Sequence, residues 1–578
     1  MTWDQKLAGQ RAPGPGPLVA ATFHSVVARG NRHAVSGDGS GLALSTVMPV
    51  ASPPAHDDRG PGLSRRGFLG LSGGAALTAA CSPTRVRGDT GASPSSTSSL
   101  SPAPPDWAGL RARLQGRLVL PTDASYDVSR QLWDSRYDTL TPQAIAYCAA
   151  PGDVQRCLAV ARDAGIAPRP RSGGHSYGGW SSGDGLIVDT TSMASVSVDA
   201  GAGTATIGAG ARLIDVYAAL AARGRALPAG SCPTVGIAGL TLGGGVGVLG
   251  RSYGLTADRL QQVELVTADG TLHRADADTD ADLFWASRGG GGGNFGVATS
   301  FTVSTVPAPR LTTFSLSWPW SAAADVLAGW QQWAPPAPDE IWSTLLLLAR
   351  PAGGPQTPAV RVSGVCVGTM GHTASLVDGL VRAVGSPPSS RSSFAPDNIL
   401  AAMLLEAGCS DLSVAACRLP SQGPRGALDR NPLIGASDYL TQPLTAPGIA
   451  VVVDFVDQRQ ADGSVGEGGV QFDAFGGAIN RVAPADTAFV HRRALASVQR
   501  TSSFRPGDTP LTIERGRRWL GEFTAALRPY VSGESYQNYV DPDLADWAQA
   551  YYGDNLSRLR AIRAAADPDR LFSFPQAI

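Results

Sequence analysis

Apolar positions after about residue 105 fall into short runs separated by glycine, proline and polar turns, and the spacing within each run predicts its element. Residues 144–148 read as a strand, and Pro151-Gly152-Asp153 opens a helix through Ala164, with Asp153 favouring the positive end of the helix dipole. The runs 186–189, 195–199 and 204–208 predict closely spaced strands, followed by an amphipathic helix over 213–223 that Gly224 ends. From Leu311 to Ala526 glycine loops thin out and tryptophans appear (Trp318, Trp320, Trp330, Trp333, Trp342). There, strand-like runs at 344–348 and 449–454 alternate with longer helices. In the run 470–478, a period of two places Gln471 and Asp473 on one face and Phe472 on the other. A carboxylate on an apolar strand is costly unless paired or functional, so Asp473 is either an edge-strand group facing water or a working one. The pattern as a whole predicts an α+β protein.

The first hundred residues lack this periodicity. Residues 1–63 are rich in Gly, Pro, Ala and Ser and read as a disordered or over-extended start, with Met48 a candidate initiator. Ser64-Arg65-Arg66-Gly67-Phe68-Leu69 and the mildly apolar run to Ala80 resemble a twin-arginine export signal, too short to span a bilayer. Thr78-Ala79-Ala80-Cys81 resembles a lipobox, which makes Cys81 a possible lipid anchor and closes a 64–81 signal segment. Residues 82–105 read as a Ser/Pro tether. The expected location is therefore extracellular, or anchored on the outer face of the membrane.

At 578 residues and 43% hydrophobic, the chain has core enough for two to four domains. Lys plus Arg of 47 against Asp plus Glu of 48 leaves a net charge of −1, which gives no basic face and argues against a nucleic-acid partner. Seven cysteines show no CxxC or Cys/His spacing, so no metal site is expected. Cys409 and Cys417 either bridge or stay as buried thiols.

The densest chemistry lies in two loops. Arg171-Ser172-Gly173-Gly174-His175-Ser176-Tyr177 can turn several backbone N–H groups toward one anion, and it carries a nucleophile, His175. Cys232 follows 57 positions later, in Gly230-Ser231-Cys232-Pro233-Thr234-Val235-Gly236. Taken singly, a loop histidine and a buried cysteine are ordinary. Four more segments give them weight: 236–245 with Gly239, Gly243, Gly244 and Gly245; Tyr253-Gly254-Leu255-Thr256-Ala257-Asp258; 282–297, ending at Val297; and Tyr536-Gln537-Asn538-Tyr539. In this order they resemble the berberine bridge enzyme-like oxidases of the p-cresol methylhydroxylase and vanillyl-alcohol oxidase superfamily, across residues 120–578.

The resemblance implies a two-subdomain FAD-binding fold of the PCMH type over 106–310, an antiparallel-sheet substrate domain over 311–525, and a C-terminal segment, 526–578, that completes the FAD domain. It implies FAD bonded twice, 8α-N-histidyl through His175 and 6-S-cysteinyl through Cys232, with Gly247, Asn538 and the loop residues around it. One competing motif needs a separate reading: Gly245-Val246-Gly247-Val248-Leu249-Gly250 matches GxGxxG, and Asp269 lies 19 residues beyond it. A Rossmann site requires a helix opening at Gly250, where Gly254 puts a breaker, so these glycines are expected instead to wall the flavin and its phosphates.

Related carbohydrate oxidases carry Gln-x-Asp and a tyrosine where this chain has Gln471, Asp473 and Tyr536. The resemblance implies that Tyr536 takes the substrate hydroxyl proton while Asp473 accepts the phenol's, since a phenol of pKa about 10 is a poor base alone. Valine three after the flavin-bonded cysteine, here Val235, goes with oxidases, which implies O2 as acceptor and hydrogen peroxide as product. The expected substrate is an alcohol: a sugar, an oligosaccharide or a glycosylated natural product. A dehydrogenase of the same fold and a non-catalytic surface lipoprotein are the alternatives.

Overall fold

The computed structural model describes residues 104–578 apart from 351–354, 356, 431, 464, 465 and 506. The twin-arginine segment, Cys81 and nearly all of the 82–105 tether lie outside the described residues. Three main sheets carry the fold. The first joins β1 (Arg117–Val119), β2 (Ala144–Tyr147), β3 (Pro168–Arg171) and β4 (Leu186–Asp189) in the order β1-β2-β4-β3, with β2 and β3 parallel to β4. The helix Pro151–Asp163 forms the crossover from β2 and buries Val154, Cys157, Leu158 and Ala161 against this sheet. Asp153, fully buried in its first turn, accepts N–H groups from Gln115, Gly116 and Ala149, so it pins the neighbouring turn as well as facing the dipole.

The second sheet is built from β5 (Val196–Asp199), β6 (Thr204–Gly208), β8 (Leu260–Val266), β9 (Leu272–Ala275) and β10 (Val297–Ser304) in the antiparallel order β5-β6-β10-β8-β9, with a two-residue β7 (Arg225–Ala226) pairing β11 (Val306–Pro307) beside it. The helix Leu213–Ala221 packs alongside and is followed by Gly224 at φ +66°, the left-handed turn a glycine favours.

The third sheet has seven antiparallel strands: β12 (Leu311–Trp318), β13 (Ile341–Ala349), β14 (Ala359–Val367), β15 (Ser390–Phe394), β16 (Leu433–Leu440), β17 (Gly468–Ala474) and β18 (Ala496–Ser503), ordered β15-β12-β14-β13-β17-β18-β16. One face buries Phe314, Leu316, Leu345, Leu347, Val470, Phe472 and Val498 under the helices Ala323–Trp333, Ala446–Asp462 and Pro510–Leu527. The other face, carrying Gln471, Asp473 and Gln499, is turned to the cavity described below. Since β17 lies between β13 and β18, Asp473 is interior to the sheet and not on an edge.

Two expectations are corrected and one open alternative is settled. Residues 449–454 are not a strand but the middle of the helix Ala446–Asp462, because Ile449, Val452, Val456 and Arg459 recur on one buried face and that packing outweighs the β-branched run. A helix does open at Gly250, yet it is the single turn Gly250–Tyr253, ended by Gly254 at φ +86°. The strand β8 that follows pairs antiparallel with β9 and β10, so no βαβ unit surrounds the GxGxxG run. Cys409 and Cys417 form a disulfide, resolving that alternative.

Candidate active site

β3 ends at Arg171, whose guanidinium is buried between the Asp189 carboxylate and the Ser129 carbonyl, 2.8 Å from the latter. The loop that follows meets the cysteine loop backbone to backbone. A Cβ on Gly173 would sit 2.2 Å from the Gly236 nitrogen, and one on Gly236 would sit 2.1 Å from Ser172 Oγ, so this crossing requires both glycines. Gly174, at φ +71°, then turns the chain toward His175.

The contact brings the two nucleophiles together. His175 Nε2 lies 2.9 Å from Thr234 Oγ1, and the imidazole stacks on Trp133 with centroids 4.9 Å apart. Cys232 is buried, with Sγ 3.6 Å from the same Thr234 hydroxyl. Burial pushes the Cys232 thiol up, and hydrogen bonds from Thr234 and Val235 pull it back. Ser176 Oγ accepts the Trp180 N–H at 3.3 Å, and Tyr177 accepts a hydrogen bond from Gln499 Nε2 at 3.1 Å.

Every residue from Arg171 to Tyr177 faces one cavity, together with Gly230, Ser231, Cys232, Val235 and Gly236. Gly239, Gly247, Val297 and Asn538 face it too. Gly243, Gly244 and Gly245, expected to wall the cofactor, are not among the residues that line this cavity. A Cβ there would lie 2.0 Å from Asn538 Oδ1, 2.6 Å from the Phe489 ring and 2.3 Å from Thr256 Oγ1 respectively, so their bareness lets other segments approach. One result is that the N–H groups of Gly245 and Val246 point at the Tyr536 hydroxyl oxygen, at 3.1 and 3.3 Å.

Tyr536 therefore receives three donors, the third being Asn538 Nδ2 at 3.0 Å. Burial raises the phenol's pKa, and these three hydrogen bonds oppose the rise. Asp473 stands on the same cavity from the sheet side, its carboxylate held by Gln471 Nε2 at 2.9 and 3.1 Å. Burial raises its pKa to about 6, against hydrogen bonds from Gln471, Thr344 and Ser497. No hydrogen bond joins Asp473 to Tyr536 among the described residues; Tyr539 packs edge-on against Tyr536 at 4.9 Å and face-on against Tyr177 at 5.8 Å.

Thr234, Gln499 and Trp133 were not singled out by the sequence reading. Gln499 pairs across the ladder with Gln471, a register no linear pattern displays. Thr234 was within reach, two residues after Cys232.

The cavity also bears side-chain atoms that are buried without a protein partner: Arg171 Nη1, Ser181 Oγ, Gln537 Oε1 and Gln576 Oε1. Orphaned polar groups around a glycine cradle, beside an imidazole and a thiol, fit a long polar ligand such as FAD. His175 and Cys232 would hold its ring, and the glycine loops have the backbone donors for its phosphates.

Comparisons with known proteins agree. Residues 142–276 match the family described as FAD binding domain, and residues 535–578 match the family described as berberine and berberine like. The chain is 32% identical to the FAD-linked oxidoreductase YgaK of Bacillus subtilis, across 81% of this chain and 98% of that protein. It is 30% identical to the xylooligosaccharide oxidase of Thermothelomyces thermophilus, over 76% of this chain and 87% of that one. The solved structure of BBE-like 1 from Physcomitrella patens superposes with a TM-score of 0.73 at 29% identity, covering 82% of this chain and 98% of the other.

Proposed function

The chain belongs to the berberine bridge enzyme-like family of FAD-linked oxidoreductases, and from that premise we propose that it is an exported oxidase, with FAD bonded to both His175 and Cys232, that oxidises a carbohydrate hydroxyl and releases hydrogen peroxide. The observation that carries this reading is the touching of the two loops, which places an imidazole and a thiol on one hydroxyl at one cavity wall. A structural histidine and cysteine have no need to converge at a cavity. The similarity to a xylooligosaccharide oxidase supports an oligosaccharide as substrate.

Bound FAD supplies the hydride acceptor and the route by which two electrons reach O2. The chain supplies the proton chemistry. Tyr536, with three N–H groups on its oxygen, is poised to carry the negative charge that develops as its own proton leaves, and so to take the substrate hydroxyl proton in exchange. Asp473, fully ionised only above about pH 6, is the carboxylate on the cavity that receives the phenol's proton. Because no hydrogen bond joins the two side chains among the described residues, the transfer runs through a substrate hydroxyl or water placed between them. Gln471 fixes the carboxylate's orientation, and Val235, small at the cavity wall beside Cys232, leaves O2 its approach. The segment around Arg65 and Arg66 supports export, and Cys81 supports an anchor on the outer face.

The test is to offer xylo-, chito- and gluco-oligosaccharides to the purified protein and follow O2 uptake and peroxide together. Peroxide formed one for one with O2 consumed supports the oxidase. Dye or quinone reduction without O2 uptake would instead make it a dehydrogenase.

A further inference from the structure

Thr234 is a buried hydroxyl with both tethering candidates on it: His175 Nε2 at 2.9 Å and Cys232 Sγ at 3.6 Å. A threonine hydroxyl has one proton to donate and two lone pairs to accept with, so it can serve both at once. The position is held from outside as well. Gln422 Nε2 donates to the Thr234 carbonyl at 3.3 Å, and Gly173 approaches so closely that a Cβ there would be 3.0 Å from that same oxygen. Trp133 fixes the plane of the His175 ring by stacking.

We propose that Thr234 is the positioning residue for flavin attachment, its single hydroxyl accepting the Nε2–H of His175 while donating to the Cys232 sulfur, so that one side chain prepares both nucleophiles. The proposal rests on the bicovalent reading above. With Nε2–H held by Thr234, the imidazole keeps Nδ1 as its basic nitrogen, the form that attacks carbon. At the sulfur, burial opposes the thiolate and the Thr234 hydrogen bond opposes burial. Each attachment is an oxidation. The C–N bond replaces one methyl C–H of the flavin and one imidazole N–H; the C–S bond replaces one ring C–H and the S–H. Two protons and two electrons leave per bond, and dioxygen takes them as hydrogen peroxide.

The experiment compares wild type with Thr234→Val, which keeps the shape without the hydroxyl, and Thr234→Ser, which keeps the hydroxyl. Each protein is supplied with FAD in air, sampled over time, precipitated with acid and mapped by mass for flavin on the His175 and Cys232 peptides. The serine variant is expected to form both bonds at the wild-type rate. The valine variant is expected to bind FAD that acid releases, and to form both bonds at least roughly tenfold more slowly, the worth of one hydrogen bond to a charged group. Should valine not be accommodated, Thr234→Ala carries the same comparison. Hydroxyl-free variants that bond at the wild-type rate would overturn the proposal, as would a defect confined to one of the two bonds. A wild-type protein lacking covalent flavin would overturn the bicovalent reading itself, and this assignment with it.

Discussion

Asp473 shows how a single residue's setting decides its chemistry. Its face on β17 was legible from the period-two pattern, because Phe472 belongs to the helix-side core and its neighbours on either side cannot. Burial raises its pKa to about 6, so the carboxylate proposed as the proton acceptor forms as pH rises through that value, and kcat/KM is expected to rise with it. Asp473→Asn should remove that limb of the pH profile and lower turnover roughly 10²-fold or more. Stability moves the other way. An acid whose folded pKa is raised costs stability as pH climbs from about 4 to about 6, so Asp473→Asn is expected to melt higher than wild type at pH 8, with the gain shrinking by pH 4. Thermal melts at both pH values check this. Tyr536 was legible as a residue but its environment was not, since two of its three donors lie about 290 positions away. Tyr536→Phe should leave FAD content unchanged and cut kcat roughly 10²- to 10⁴-fold, measured by peroxide release.

At the scale of elements, glycine-rich loops carry the site and the sequence exposed them, because glycine is needed where backbones cross. Gly173 and Gly236 meet closely enough that neither tolerates a Cβ without moving backbone. Gly173→Ala is therefore expected to separate the His175 and Cys232 loops and to abolish stable flavin retention, read as the ratio of flavin to protein absorbance. The helix Ala446–Asp462 was misread for an identifiable reason: the window over 449–454 holds a β-branched run, and only the wider spacing to Val456 and Arg459 shows a helical face. Gly243, Gly244 and Gly245 were expected to wall the cofactor, yet they are not among the residues lining the cavity and instead make room for other segments. What they accommodate, Asn538, Phe489 and Thr256, comes from elsewhere in the chain and was invisible in the local pattern.

At the scale of the molecule, the cavity lies where the glycine loops, the seven-stranded sheet and the C-terminal segment meet. Buried arginines hold this meeting together. Arg251 donates to the carbonyls of Phe475 and Ala337, and Arg492 makes two hydrogen bonds to Asp258, at 2.9 and 2.6 Å, so each links the glycine-rich stretch to the loops of the seven-stranded sheet. Arg492→Ala would strand the Asp258 carboxylate against a low-dielectric surface and is expected to destabilise the protein by about 3–5 kcal/mol, seen as a lowered denaturant midpoint. The fold class was legible because motif segments punctuate the chain from residue 171 to residue 539. The sheet order β15-β12-β14-β13-β17-β18-β16 was not, because antiparallel pairings between distant strands leave no linear signature.

The central claim, that His175 and Cys232 together hold FAD, is tested most directly by acid precipitation of the purified wild-type protein followed by mass mapping of its peptides. Yellow colour remaining with the pellet, and flavin mass on both the His175 and the Cys232 peptides, is the predicted result. Flavin released wholly into the supernatant, or found on one peptide alone, would contradict it.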